Sequence, residues 1–443
     1  MKQVSFILIG ATGDLSITRL LPALYHLLKK NEIELQVVAI GRESSTANDL
    51  ITNARTYIKN IDEKTLKKLE TSIMYLQADI LHNDIQPFIA SLNLHPERIV
   101  YCATPSSLFV PIAQKMHALG VLDKNNNLHR IVLEKPFGTN QQSAQEMNNA
   151  LHAMLDEKQI YRIDHYLSKE LVSSLTILRK ANVFFEPIWS NKYIDRIEII
   201  AYEKDTVHNR AAFYDATGAL ADMIQNHLLQ LVALLAMEIP DDVDTNPEAL
   251  HRAKAEILSN VHVQETLLGQ YEGYTGEDSI NSESKTETFA AIKLTINNNQ
   301  WNHVPWYVAT GKALKEKRTE ILIKFKSLSC PFVGPCYSNY LHIYLTPQEG
   351  FDLTINMKQP HKTTGIQSVD VKFCYSCLFE TESPEAYEVL LREIIAGERL
   401  LTVSSKEIEM QWSIIDQAKK KITNFMRYPQ GSSNPAERFI EEL

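Results

Sequence analysis

The sequence predicts an α/β plus α+β protein: an N-terminal Rossmann-type parallel-sheet domain, then a larger domain with a mostly antiparallel sheet packed by helices. Three observations lead there. Strand-like and helix-like runs alternate up to Asp164. The segment Ile7-Leu8-Ile9-Gly10-Ala11-Thr12-Gly13-Asp14-Leu15-Ser16 joins a hydrophobic strand to a helix through small residues. Beyond Asp164, extended segments follow one another with polar loops between them. The boundary is set accordingly, with domains over 1–163 and 164–443.

In the first domain, strands are expected at 4–9, 35–40, 73–77, 98–102 and 130–133, with amphipathic runs such as 19–30 and 143–157 between them. That alternation implies a parallel sheet wrapped by helices. The second domain opens with a helix over 166–180, a strand over 195–201 and a very apolar helix over 218–237. Strands are then expected at 288–295, 319–325, 341–345, 351–356 and 372–379. The stretch 268–285, rich in Gly, Ser, Glu and Thr, reads as a surface loop.

The 443 residues are 44% hydrophobic and carry 45 basic against 54 acidic side chains, so the chain can bury a large core at a net charge of −9. The acidic balance argues against nucleic-acid and membrane-surface partners and leaves small molecules. The most apolar stretch, 228–237, is about half the roughly 20 residues a membrane-spanning helix needs. The N-terminal apolar run leads straight into Gly-Ala-Thr-Gly-Asp without a cleavage site, so it is expected to be the first strand of a cytosolic protein. Five cysteines fit a reducing compartment better than a disulfide framework. Cys330, Cys336, Cys374 and Cys377 raise the question of a four-thiolate zinc site. Because 371–379 reads as a strand, where side chains three apart point to opposite faces, no metal is expected.

The Gly10 to Ser16 turn is a variant of the dinucleotide turn: glycines allow a tight bend, and the following helix aims its N–H groups at a pyrophosphate. Arg42, closing the second strand, stands where an acidic residue commonly reads the ribose of NAD, so it can pair a 2′-phosphate. Glu43 beside it keeps NAD use open. Lys135 lies at another strand end, before a proline that enforces an extended or turn conformation.

Around the domain change, Asp164, His165, Tyr166 and Lys169 form either a phosphate grip or a polar helix start with a capping aspartate. His227 shares its helical stripe with Leu220, Met223, Ile224, Leu231 and Leu234. Such a residue is either a satisfied core histidine or a general base oriented by a carboxylate, and spacing leaves both open.

Four blocks, in order, resemble the glucose-6-phosphate dehydrogenase family. They are Gly10-Ala11-Thr12-Gly13-Asp14-Leu15, Glu134-Lys135-Pro136-Phe137-Gly138, Arg162-Ile163-Asp164-His165-Tyr166-Leu167-Ser168-Lys169-Glu170, and Asp222-Met223-Ile224-Gln225-Asn226-His227-Leu228-Leu229-Gln230. The likeness continues through Phe185 to Trp189, Val304 to Tyr307, Gly311-Lys312, and Pro384-Glu385-Ala386-Tyr387 to Trp412, covering nearly the whole chain. The resemblance implies NADP-dependent oxidation of glucose 6-phosphate at C1 to 6-phosphogluconolactone, the first step of the oxidative pentose phosphate pathway. It implies His227 as general base and Asp164 as its paired carboxylate. His165, Tyr166 and Lys169 would hold the sugar phosphate, Glu203 and Asp222 sugar hydroxyls, and Lys135, Lys312 and Lys317 would be further substrate lysines. Gly10, Thr12, Gly13, Asp14, Leu15, Arg42 and Lys135 would bind NADP. The first domain would then bind the dinucleotide, the second would bind substrate and oligomerise, and the protein would be a cytoplasmic homodimer or homotetramer.

Several positions depart from the family pattern. Ser168 replaces a glycine, Ala221 and Ala309 replace arginines, Thr346 stands for a glutamine and Ser106 for a proline. Ile17 and Thr18 occupy places where basic residues are usual, with Arg19 in place of a lysine. These changes keep two alternatives alive: the same scaffold using NAD or another hexose phosphate, and a catalytically weakened nucleotide- or sugar-phosphate-binding regulator.

Overall fold

A computed structural model describes residues 2–31, 33–327, 329–332, 336–362, 365–379 and 385–441. Pro384 of the motif quoted above lies outside them. In chain order the strands are β1 (Lys2–Ile9), β2 (Ile33–Gly41), β3 (Ile73–Gln77), β4 (Glu97–Cys102), β5 (His129–Leu133), β6 (Ile160–Ile163), β7 (Ile194–Tyr202) and β8 (Val261–Tyr271). They continue with β9 (Phe289–Ile296), β10 (Trp306–Gly311), β11 (Arg318–Phe325), β12 (Tyr340–Thr346), β13 (Gly350–Lys358), β14 (Ile366–Cys374), β15 (Thr402–Val403) and β16 (Ile422–Tyr428).

Two compact units divide the chain. The first comprises Met1–Gly138, Gln142–Ser168 and Pro384–Ile408, the second Thr139–Gln141, Lys169–Ser383 and Glu409–Leu443. A single cut at 163/164 therefore misses a return of the chain. The reason lies in the helix Ala386–Ala396, whose Leu390, Leu391, Ile394 and Ile395 are buried in the first unit's core with Leu21, Leu24 and Leu28. That apolar stripe is stable only against the N-terminal helices.

The first unit's sheet has the order β15-β6-β5-β4-β1-β2-β3. β1 pairs in parallel with both β2 and β4, and β15 joins β6 antiparallel. Apart from that added edge strand, this is the doubly wound dinucleotide-binding order, with its topological switch between β1 and β4. β6 continues the sheet beyond the strands expected from sequence.

The second unit holds a nine-stranded sheet ordered β14-β13-β12-β11-β7-β10-β9-β8-β16. Its neighbours are antiparallel except for β7 with β10 and β8 with β16. β10 was not expected because all six of its residues are buried, which removes the alternation that marks a strand. β8 runs on to Tyr271, so the expected loop at 268–285 starts as strand and turns only at Gly273, in the left-handed region. The apolar helix is longer than 218–237. It runs Ala211–Ala236, is long and apolar enough to cross a membrane, and is almost wholly buried within the protein.

The cysteines also differ from expectation. Cys330 pairs with Cys336, and Cys374 with Cys377, as disulfides; Cys102 is free and buried. β14 ends at Cys374 and a short helix, Tyr375–Phe379, follows, so the chain turns where a continuing strand would have held the two sulfurs apart. The two pairs stand at opposite ends of β13, since Tyr337 bonds Asn356 near one end and Gly350 pairs with Cys374 at the other.

Candidate active site

The first unit carries a cleft of about 380 Å³ at the carboxyl ends of β1, β2 and β4, at the switch point. Gly10, Thr12, Gly13 and Arg42 line it, with Asp79, Thr104 and Pro105 from neighbouring strand ends. The turn is fixed by backbone bonds: Gly10 N–H and Ala11 N–H both donate to Ile40 O, at 2.9 and 3.1 Å, and Gly13 N–H donates to Gly10 O at 3.0 Å. Ser16 Oγ donates to the same Gly10 carbonyl at 2.9 Å. Gly10 has φ +88°, and a Cβ there would collide with the Ala103 carbonyl oxygen. Only glycine fits, and the open backbone this leaves is what a pyrophosphate needs. Arg42 is exposed at the rim. Asp14 and Leu15, expected on the cofactor side, begin the following helix and are not among the residues lining the cleft.

Lys135 precedes Pro136 through a cis peptide bond. Beside it, Glu134 accepts hydrogen bonds from Tyr101 at 2.7 Å and from Tyr387 of the returning segment at 3.1 Å. Burial raises the Glu134 carboxyl, while the two phenols that donate to it work against that rise. Sequence reasoning missed this cluster, because Tyr387 lies 253 residues away.

Asp164 is buried at the end of β6, and its Oδ1 accepts the Tyr166 N–H at 2.9 Å. This local bond closes a turn over residues 165–168 rather than starting a helix: Leu167 N–H donates to Asp164 O, and Ser168 Oγ to His165 O. The helix begins only at Glu170, four residues later than the expected start at 166, so His165 and Lys169 both precede it.

In the second unit Lys169 donates to Leu345 O at 3.0 Å and Thr346 Oγ1 at 2.5 Å. Burial lowers its pKa, Glu349 opposes that shift and Lys317 adds to it. Lys317 itself is exposed.

Glu203 and Lys312 form an ion pair. Parallel pairing of β7 with β10 sets Tyr202 opposite Gly311, so the residues that follow emerge side by side. Glu203 N–H bonds Gly311 O, and Lys312 N–H bonds Thr288 O, each at 2.9 Å. The Lys312 ammonium lies 5.0 Å from the Tyr214 ring centroid. Burial, with the charge of Asp222 next in effect, pushes the Tyr214 phenol up.

His227 is buried, as its stripe predicted, but the segment Leu220–Leu228 is π-helical. In an α-helix residues five apart are about 140° apart around the axis. The i→i+5 turn brings Asp222 and His227 to the same side. No apolar periodicity could have signalled this.

Comparison with known proteins gives concordant results. The chain matches the glucose-6-phosphate dehydrogenase NAD-binding domain over residues 7–174 and the C-terminal domain of the same family over 176–441. It is 34% identical to glucose-6-phosphate 1-dehydrogenase of Bacillus subtilis, over 97% of this chain and 95% of that protein. It is 33% identical to the Arabidopsis thaliana glucose-6-phosphate 1-dehydrogenase 5, cytoplasmic, over 98% and 90%. A solved glucose-6-phosphate dehydrogenase in complex with glucose 6-phosphate superposes with a TM-score of 0.90 at 27% identity, covering 99% of this chain and 96% of that one.

Proposed function

Because this chain belongs to the glucose-6-phosphate dehydrogenase family, we propose that it oxidises glucose 6-phosphate at C1 with NADP, yielding 6-phosphogluconolactone. The observation that carries the reading is the cleft at the switch point, where the Gly10 turn opens its backbone and Arg42 stands at the rim. The cradle that a Cβ would fill at Gly10 suits a dinucleotide pyrophosphate, and the Arg42 guanidinium suits a ribose 2′-phosphate. NADP supplies the hydride acceptor at nicotinamide C4.

The chain's own groups do the rest. His227 takes the proton from the C1 hydroxyl, and Asp164, carried over from the resemblance, orients the imidazole and stabilises its charged form. His165, Tyr166 and Lys169 hold the sugar phosphate. Binding there is remote from C1, so it supplies positioning rather than chemistry. Glu203 and Asp222 accept from sugar hydroxyls, with Lys312 paired to Glu203, while Lys135 and Lys317 add positive charge toward the substrate. Thr346 and Ala309 lack the polar reach of the residues the family pattern has there. Ala309 in particular lies buried in an apolar cluster with Ile200 and Tyr202.

A cytoplasmic location is supported by the name of the plant relative. Association into a homodimer or homotetramer is supported by the exposed Met357, Val369 and Val371 on β13 and β14. The test is a steady-state assay of the purified protein with NADP or NAD and several hexose phosphates, following reduced nicotinamide. Turnover with glucose 6-phosphate and NADP is expected. Binding of both without turnover would replace the enzyme by a regulator.

A further inference from the structure

We propose that Glu287 is a positioning residue for this reaction: its carboxylate holds the start of the π-helical segment that carries Asp222 and His227 and so sets where both side chains point. The inference rests on the reading above for its kinetic consequence and on geometry for its substance. The long apolar helix is broken at Gly218, with φ 70° and ψ 173°. Past the break the chain restarts, and its first N–H groups have no partner one turn back. Glu287 supplies two acceptors. Its backbone carbonyl receives Ala219 N–H at 3.0 Å, and Oε1 receives Leu220 N–H at 3.0 Å.

The fit is close on the other side as well. The carboxylate lies against Gly218, where any Cβ would occupy its space. Glu287 also precedes β9, whose neighbour Thr288 accepts Lys312 N–H. One residue pair thus ties the restarted helix to the strand ends that present Glu203 and Lys312. Burial raises the Glu287 carboxyl against the opposing Leu220 bond, and either protonation state keeps an oxygen acceptor for that N–H. Downstream, Leu229 N–H is shared between Asn226 O and Ile224 O, the latter in the i→i+5 pattern, so the π register begun at Leu220 reaches its end just past His227.

The acceptor, more than the charge, is what the position needs. Glu287→Ala is expected to lower kcat about tenfold or more, since small misplacements of catalytic groups are costly, with KM for NADP unchanged. Glu287→Gln, which keeps an oxygen at the same reach, is expected to stay within about threefold of wild type. Hydrogen exchange in peptides covering 218–228 should accelerate in Glu287→Ala and not in Glu287→Gln. A purely structural role would lower the folded yield and leave kcat per NADP-binding site intact, and that result overturns the proposal. Unchanged exchange in Glu287→Ala, or an equal loss of kcat in both variants, overturns it too. Should Glu287→Ala not fold, Glu287→Asp, one methylene too short to reach Leu220, takes its place with the same expectations. If wild type shows no sugar-phosphate turnover, the enzymatic reading fails, while the exchange measurement still judges the cap on its own.

Discussion

Lys169 donates to Thr346 Oγ1 at 2.5 Å, so the lysine assigned to the sugar phosphate is anchored from the end of β12 by a residue that replaces the family's glutamine. Burial lowers the pKa of this ammonium, Glu349 works against that and Lys317 adds to it. A lysine whose folded pKa is depressed loses its proton at lower pH than a free one, near 10.4. KM for the sugar phosphate should therefore rise with pH before the ordinary lysine range is reached. Lys169→Met should raise KM about tenfold or more at neutral pH and abolish the rise. A wild-type KM that stays flat through pH 10 would remove Lys169 from phosphate binding.

His227→Asn should keep binding largely intact and lower turnover by roughly a hundredfold or more, the ordinary loss for a general base. Direct binding of sugar phosphate by calorimetry and steady-state turnover separate the two quantities. Unchanged turnover would return His227 to the role of a buried core histidine.

Arg42→Ala should weaken NADP far more than NAD, because only NADP carries the 2′-phosphate that a guanidinium can pair. Arg42 is exposed at the cleft rim, so its replacement leaves the buried core untouched. Equal losses for the two nucleotides would leave cofactor choice to other residues.

Glu157 contributes to the acid dependence of the first unit's stability. Burial pushes its carboxyl up, but the Arg162 guanidinium at 2.9 Å, His152 at 2.7 Å and Ser405 N–H at 2.9 Å outweigh this and bring it to about 2. A carboxyl depressed on folding contributes stability above its unfolded pKa, near 4.3, and loses it as pH falls toward 2. The contribution is of order 3 kcal/mol at neutral pH. Glu157→Gln should be less stable than wild type at pH 7, with the gap closing in acid. Denaturant titrations that give a constant gap from pH 5 to 2 would refute this account.

Local chemistry in the chain determined the first unit's central strands and the glycine turn, because short apolar runs, helix-length periodicity and Gly10 act over a few residues. It also marked His227 as inward-facing. What only tertiary structure decided depends on residues far apart in sequence. The helix Ala386–Ala396 returns to the first unit because its leucines and isoleucines find the N-terminal helices there. β10, buried on both faces, shows no alternation and exists through its pairing with β7 and β9, and that pairing alone sets Lys312 beside Glu203. Asp164 starts a turn, closed by Leu167 N–H on Asp164 O and Ser168 Oγ on His165 O, and the helix waits until Glu170. The π register between Asp222 and His227 lies in backbone hydrogen bonds, which side-chain patterning does not encode.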